Sequence, residues 1–153
     1  MTVDAASESL DTDVRLALFH HLADTGRAPS ADELAAAMGQ PRAVVEQSLR
    51  RLEDVHVIVL APGTINVWMA APFSAVPTAF RVEADGRRYW GNCIWDALAI
   101  PALLDADATL TAGCGDCGVP LTLGVRDGSL AEGEGVVHFA VPARRWWENI
   151  GFT

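Results

Sequence analysis

Residues 90–123 read WGNCIWDALAIPALLDADATLTAGCGDCGVPLTL and hold all three cysteines of the chain, Cys93, Cys114 and Cys117. An apolar helix with Cys93 near its start is predicted here, followed by shorter strand-forming runs. Asp96 follows Cys93 by three residues, an offset that places two side chains on one face of a helical turn. A thiol beside a carboxyl group can bind a soft metal and deliver a proton. Cys93 and Asp96 are therefore the candidate catalytic residues, on an active-site helix.

Composition restricts the class of protein. Of the 153 residues, 50% are hydrophobic and 20% are charged, which is typical of a soluble globular protein. The chain has no apolar run near the roughly 18 residues that span a bilayer. Its acidic start lacks the basic and apolar regions of a signal peptide. We therefore expect a cytoplasmic protein with no membrane partner.

Charge limits both the partners and the chemistry. The net charge of −9 disfavours a nucleic-acid partner, which is itself a polyanion. All eleven basic residues are arginine, which excludes lysine Schiff-base chemistry and a phosphate-binding P-loop lysine. The odd number of cysteines, three, favours free thiols or metal ligands over disulfides.

The first part of the chain is predicted to form three helices. The first helix is expected to begin at a cap provided by Asp11 or Thr12. Ser30 and Glu33 have the spacing of a capping box for the second helix, and Pro41 suits the first turn of the third. Three helices in this order are the beginning of a winged helix-turn-helix outline.

Alternating and β-branched residues over 56–70 predict a hairpin, which completes a winged-helix-like domain over residues 1–71. The third predicted helix balances three basic residues against three acidic ones: Arg42, Arg50, Arg51, Glu46, Glu53 and Asp54. A recognition helix gains much of its affinity from phosphate contacts. A structural or lid role is therefore favoured over binding of nucleic acid.

Residues 72–153 are predicted to form an α/β domain, reached through a proline-containing linker at 71–77. The expected strands cover residues 79–83, 108–111, 119–125 and 136–141. We therefore expect an α+β fold, in which the winged-helix-like domain packs on a small mixed β-sheet that carries the active-site helix.

Cys114 and Cys117 lie in a glycine-rich turn where two sulfur atoms can converge on one metal ion. A structural zinc site needs four ligands, so this pair is half of one, and Cys93 or the four histidines could supply the remainder. A thioredoxin-like redox pair is less favoured, because such a pair normally opens a helix. A non-catalytic protein that binds or senses mercury, copper or zinc through Cys93, Cys114 and Cys117 is the alternative hypothesis.

Residues 92–98, NCIWDAL, with residues 101–103, PAL, and with Cys114 followed by Gly118 and Pro120, resemble the organomercurial (alkylmercury) lyases. The similarity extends over nearly the whole chain. It implies cleavage of a carbon–mercury bond by protonation, with mercury in the substrate and product and no cofactor required. It also implies that Cys93 is a mercury-binding thiolate, that Asp96 is the proton donor and that Cys114 is mainly structural.

The resemblance places the family's second mercury-binding cysteine at Thr153, the last residue of this sequence. Cys117 stands where the resemblance requires no cysteine. We therefore predict that Cys93 and at least one of Cys114 and Cys117 converge around a single pocket. The expected ligand is a small organometallic compound or a soft metal ion, and the sequence leaves the oligomeric state open.

Overall fold

The structure, a computed structural model, describes residues 5–151 as two antiparallel sheets combined with four α-helices. The helices are α1 (Ala5–Thr25), α2 (Ala31–Met38), α3 (Arg42–Asp54) and α4 (Ile94–Leu104), and a 3-10 helix spans Ala143–Glu148. One sheet has the order β1-β2-β3, with β1 (Val59–Leu60), β2 (Val67–Ala70) and β3 (Phe73–Ser74). The other has the order β5-β4-β6-β7-β8, with β4 (Arg81–Ala84), β5 (Arg87–Trp90), β6 (Ala108–Gly113), β7 (Pro120–Arg126) and β8 (Ser129–Glu132).

The predicted α+β class is confirmed, but the expected mixed sheet is not formed. Every pairing between the strands named above is antiparallel. Short turns join most neighbouring strands, and such turns reverse the chain direction, which gives antiparallel pairs. Buried side chains from the helices and from both sheets form one hydrophobic cluster.

The three N-terminal helices pack through apolar side chains at helical spacing. Val14, Leu18 and Leu22 recur every four residues on α1 and are fully or almost fully buried. The predicted capping box of α2 is confirmed, because Ser30 Oγ accepts from the Glu33 amide and the Glu33 carboxylate accepts from the Ser30 amide. These local signals set where α2 begins.

The predicted start of α1 at Asp11 or Thr12 is wrong, since the helix already begins at Ala5. Asp11 does not cap a helix but faces α3, where its carboxylate accepts hydrogen bonds from the Ser48 hydroxyl and from two nitrogens of Arg51. Ser48 is completely buried. Local sequence rules assign Asp11 to the start of a helix, but its side chain instead binds Ser48 and Arg51 of α3.

We expect Asp11→Ala to lower the free energy of unfolding by about 1–3 kcal/mol at neutral pH, because the buried Ser48 hydroxyl loses its acceptor and Arg51 loses a bidentate partner. Burial works against ionisation, but the hydrogen bonds from Arg51 and Ser48 outweigh it and lower the pKa of Asp11. The stabilisation is therefore present above the unfolded pKa and is lost as pH falls through the folded pKa.

Chemical denaturation at several pH values measures this effect. Asp13→Ala, at an exposed position on the same helix, is the matched control and should change stability little. An Asp11→Ala protein as stable as the Asp13→Ala protein at neutral pH would contradict the assignment.

The hairpin predicted over residues 56–70 is confirmed by the pairing of β1 with β2. The linker predicted at residues 71–77 is wrong, because β3 lies inside it and pairs with β2. Phe73 explains the difference: its side chain is buried, its ring packs 5.8 Å from that of Tyr89, and its backbone bridges to Gly91 beside the second sheet. The division of the chain near residue 71 and the winged-helix character of the first part stay predictions.

In the second sheet the strands expected at 79–83, 108–111 and 119–125 correspond to β4, β6 and β7. The strand expected at 136–141 is wrong, since this segment has no regular secondary structure. Val136 is 93% exposed, so the apolar pattern here does not reflect a strand packed on the core.

No helix within the described residues is long and apolar enough to cross a membrane. Two of the three arginines of α3 form ion pairs within the protein: Arg42 pairs with Asp32 and Glu46, and Arg51 pairs with Asp11. These ion pairs would compete with phosphate contacts. That nucleic acid is not a partner stays a prediction.

Candidate active site

Cys93 is the N-cap residue of α4. Its backbone is extended (φ −144°, ψ −179°), and its sulfur accepts a hydrogen bond from the Asp96 amide at 3.4 Å. The Cys93 carbonyl accepts from the Ala97 amide at 2.9 Å, which is the first bond of the helix. The three-residue offset therefore brings the thiol to the first turn of α4, where Asp96 lies, although Cys93 precedes the helix.

Gly91, the residue that follows β5, lies close against the start of this helix. A Cβ atom at Gly91 would lie 2.6 Å from the Ala97 nitrogen and 2.9 Å from the Cys93 carbonyl oxygen. Neither backbone atom could move without disturbing the first turn of α4. A side chain at this position would therefore displace the residues that carry the thiol and the carboxyl group.

The Asp96 carboxyl group is held by Asn92. The Asn92 Nδ2 atom donates to Asp96 Oδ2 at 2.8 Å and to the Phe73 carbonyl at 3.3 Å, so the amide joins α4 to β3. Burial raises the pKa of Asp96, and the hydrogen bonds from Asn92 oppose this effect in part. Asp96 consequently keeps its proton to higher pH than an exposed aspartate does.

Burial also raises the pKa of the Cys93 thiol above its ordinary value, against the opposing effect of the Asp96 amide. Cys93 is therefore a thiol near neutral pH until a metal displaces its proton. Soft thiophilic ions do this readily, because the deprotonated sulfur is their preferred ligand. The pair is thus arranged as a soft-metal ligand next to a carboxyl group whose pKa is raised by burial.

Aromatic side chains lie next to this pair. Trp95 stands between Cys93 and Asp96 in the chain, is 58% exposed, and contacts Phe139 edge to face at 6.4 Å. Phe139 in turn packs 5.2 Å from Trp146. The C-terminal segment, which was predicted to be a strand, therefore brings aromatic rings against the first turn of α4.

Sequence reasoning missed Asn92 and Phe139 as residues of this region. Asn92 carries a usable signal, since it precedes the N-cap residue and stands one helical turn before Asp96. Phe139 carries no local signal, because 43 residues separate it from Asp96 along the chain. The five tryptophans of the chain all lie outside the buried core.

Cys114 and Cys117 lie on the loop that joins β6 to β7. The Cys114 amide donates to the Val119 carbonyl, and the Gly118 amide donates to the Cys114 carbonyl, each at 2.9 Å. The Cys114 sulfur accepts hydrogen bonds from the backbone of Cys117 and Asp116 and from the Cys117 thiol, which lower the pKa of Cys114. The two cysteines of the turn are therefore neighbours, as the sequence indicates.

The turn and Cys93 lie at the same end of the second sheet. Trp90 of β5 and Thr111 of β6 both pair with Arg81 of β4, and each strand then runs on toward a cysteine. Because β4 separates them, β5 and β6 are about 10 Å apart. This spacing argues against one ion shared by Cys93 and a turn cysteine.

The three-cysteine metal site of the alternative hypothesis stays a prediction without support in the described residues. Within residues 5–151, no group of three or more His, Cys, Asp or Glu side chains is placed to hold a metal ion. β4 lies between the strand that leads to Cys93 and the strand that leads to the turn. A copper or zinc site that uses Cys93, Cys114 and Cys117 is therefore not supported.

Two surface hollows, of about 230 and 270 Å³, lie at the opposite end of the sheet around Gly86. Neither is lined by Cys93 or Asp96. The chemistry indicated above therefore depends on the side chains of the first turn of α4 and not on these hollows.

Comparison with known proteins gives a family and a fold. The family model described as MerB, alkylmercury lyase, matches residues 73–153. Among solved structures, the mercury-bound form of MerB2 is similar with a TM-score of 0.66 and 23% identity, over 86% of this chain and 61% of that chain. That likeness concerns the fold, and the present chain spans about three fifths of the length of that relative. Curated proteins give no match.

Proposed function

The chain belongs to the alkylmercury lyase family, and from this premise we propose that it cleaves carbon–mercury bonds by protonation at Cys93 and Asp96. One observation carries the proposal. The first turn of α4 holds a thiol beside a carboxyl group whose pKa is raised by burial. The Cys93 thiol can bind mercury, and the Asp96 carboxyl group can hold the proton that is transferred to carbon.

Binding begins with exchange of a sulfur ligand on mercury. An organomercurial in the presence of thiols carries one small thiolate, which Cys93 replaces, so that the small thiol leaves with the proton of Cys93. The Asp96 amide donates to the Cys93 sulfur and stabilises the negative charge that this sulfur carries when it binds the metal. The organic group then remains on a mercury atom attached to the protein.

Cleavage follows by proton transfer. The carbon takes the proton of the Asp96 carboxyl group as its bond to mercury breaks, and a hydrocarbon leaves. The electron pair of the broken bond forms the new carbon–hydrogen bond, and mercury stays on the Cys93 sulfur. An incoming thiolate supplies the second sulfur ligand that mercury then needs, and Asp96 regains a proton from solvent.

The source of that second thiolate is a small thiol in this proposal. The resemblance puts the family's second cysteine at Thr153, which lies outside the described residues. A second small thiol then removes mercury(II) from Cys93 and restores the free thiol. The whole cycle therefore consumes one organomercurial, one small thiolate and one proton for each hydrocarbon released. Mercury leaves with two small thiolates, and no redox partner is needed.

The direct test supplies phenylmercury with an excess of glutathione and measures released benzene by gas chromatography. We expect benzene in amounts above one per chain, at a rate well above that of glutathione alone. Protein whose thiols have been alkylated serves as the control. If the alkylated and the native protein release benzene equally fast, the proposed function is wrong.

Asn92 should act as a positioning residue for Asp96. We expect Asn92→Ala to slow benzene release by about 10–100-fold, the usual effect of losing a hydrogen-bond partner of a functional group. Its hydrogen bonds lower the pKa of Asp96, so their loss raises that pKa further. Because turnover needs the protonated carboxyl group, the fall in rate with rising pH should move to higher pH.

A pH–rate profile of both proteins measures this shift. Asn66→Ala, on the exposed surface of the β1–β2 hairpin, is the matched control and should leave the profile unchanged. A slower Asn92→Ala protein with an unmoved profile would show that Asn92 only maintains structure.

A further inference from the structure

We propose that Cys114 and Cys117 form a second soft-metal site, which binds one mercury(II) ion between their two sulfur atoms without Cys93. We call residues 113–118 the dithiol turn. Both cysteines are free thiols. The resemblance assigns Cys114 a structural part and requires no cysteine at 117, so the family chemistry does not account for the pair.

The dithiol turn is closed by its backbone. The Cys114 amide donates to the Val119 carbonyl and the Gly118 amide donates to the Cys114 carbonyl, which fixes the loop on the β6–β7 hairpin. The two cysteines therefore stand three residues apart in one tight turn. Hydrogen bonding from Cys117 and Asp116 also lowers the pKa of Cys114, toward the thiolate that binds metal.

The number of available ligands selects the ion. Asp116 lies between the two cysteines, but within the described part of the chain no group of three or more His, Cys, Asp or Glu side chains is placed to hold a metal ion. Structural zinc needs four ligands, whereas mercury(II) is stably held by two thiolates. Two sulfurs that can each approach an ion to about 2.3 Å, the zinc–sulfur distance, are sufficient for such a site.

The dithiol turn is also open to an incoming ion. Cys117 is exposed and Cys114 is partly exposed. Residues 115–118 are exposed, and a Cβ atom at Gly115 or Gly118 would meet nothing within 4 Å. Mercury can therefore reach both sulfurs without unfolding of the hairpin.

The dithiol turn is placed to receive the mercury(II) that the reaction leaves on Cys93, an inference that rests on the proposed function. The turn and Cys93 lie at one end of the sheet, with β4 between their strands. Mercury(II) held by Cys93 and a small thiolate can pass to Cys114 and Cys117, which release two protons as they bind. These protons convert Cys93 and the small thiolate back to thiols, so no oxidant or reductant is needed.

Mercury binding to Cys93→Ser protein tests the site apart from the lyase reaction. Reduced protein is dialysed against mercury(II) chloride with excess glutathione, and retained mercury is measured by mass spectrometry of the metal. We expect about one ion per chain. The double variant Cys93→Ser with Cys117→Ser should bind mercury(II) at least about 10²-fold more weakly, because two linked ligands gain that much affinity from their proximity.

Cys93→Ser with Asp116→Asn is the matched control, since it changes the same turn but keeps both sulfurs, and it should retain the ion. Thermal melting of each variant shows whether it is folded, and Cys117 is exposed enough to be replaced without loss of the core. Equal mercury binding with and without Cys117 would overturn the proposal, as would mercury that joins two chains in gel filtration. Absence of benzene release by the native protein would overturn the proposed function and leave this site intact.

Discussion

Asp96→Asn is expected to keep phenylmercury bound at Cys93 and to slow benzene release by about 10²–10⁴-fold, the usual contribution of a general acid. The asparagine side chain has nearly the same shape as the aspartate but has no acidic proton to give to the carbon. The Asp96 amide, which donates to the Cys93 sulfur, is unchanged by the substitution. Binding and turnover should therefore separate in this variant.

The same variant should gain stability at higher pH. Burial raises the pKa of Asp96 in the folded protein, so its contribution is fully present below the unfolded pKa and is lost as pH rises through the folded pKa. Asparagine does not ionise and avoids this loss. Asp105→Asn, at the exposed C-terminal end of α4, is the matched control and should leave turnover unchanged. A loss of turnover below tenfold in Asp96→Asn would count against Asp96 as the acid.

Cys93→Ser is expected to reduce benzene release to the rate of glutathione alone. Serine cannot replace a thiolate as a ligand for mercury, which strongly prefers sulfur. Serine is, however, a favoured N-cap residue, so its hydroxyl can take over the hydrogen bond that the Cys93 sulfur accepts at the start of α4. The variant should therefore fold at least as well as the native protein while it loses the reaction.

Cys117→Ser is the control for this experiment, because it also removes one thiol but leaves the first turn of α4 intact. We expect it to release benzene at close to the native rate in a single turnover. Circular dichroism and thermal melting show whether Cys93→Ser is folded. Substantial release by a folded Cys93→Ser protein would contradict the assignment of Cys93 as the mercury ligand.

Features that depend on neighbouring residues could be predicted from the sequence. The capping box of Ser30 and Glu33 and the left-handed Gly39 at the end of α2 follow from rules that involve a few adjacent positions. The approach of Cys93 to the Asp96 backbone is of the same kind, since one helical turn brings them together. Such interactions form between residues close in sequence and do not depend on the tertiary structure.

Features that depend on distant residues could not be predicted. Asp11 looks like a helix cap in the sequence, but α3, 40 residues away, supplies Arg51 as its partner. Phe73 lies between prolines in a segment that is typical of a linker, yet its burial against Tyr89 makes that segment a strand. The separation of Cys93 from the dithiol turn depends on the order of strands in the sheet, which no local pattern specifies.

The most direct test of the Cys93–Asp96 assignment locates the mercury adduct that gives rise to hydrocarbon. Phenylmercury is mixed with an excess of native protein, samples are quenched over time, and peptide mass spectrometry locates the phenylmercury group while benzene is measured in parallel. We predict that phenylmercury appears on the peptide containing Cys93 and disappears at the rate at which benzene forms, whereas in Asp96→Asn the adduct persists. Benzene that forms while the Cys93 adduct is unchanged, or an adduct that decays only on Cys114 or Cys117, would contradict it.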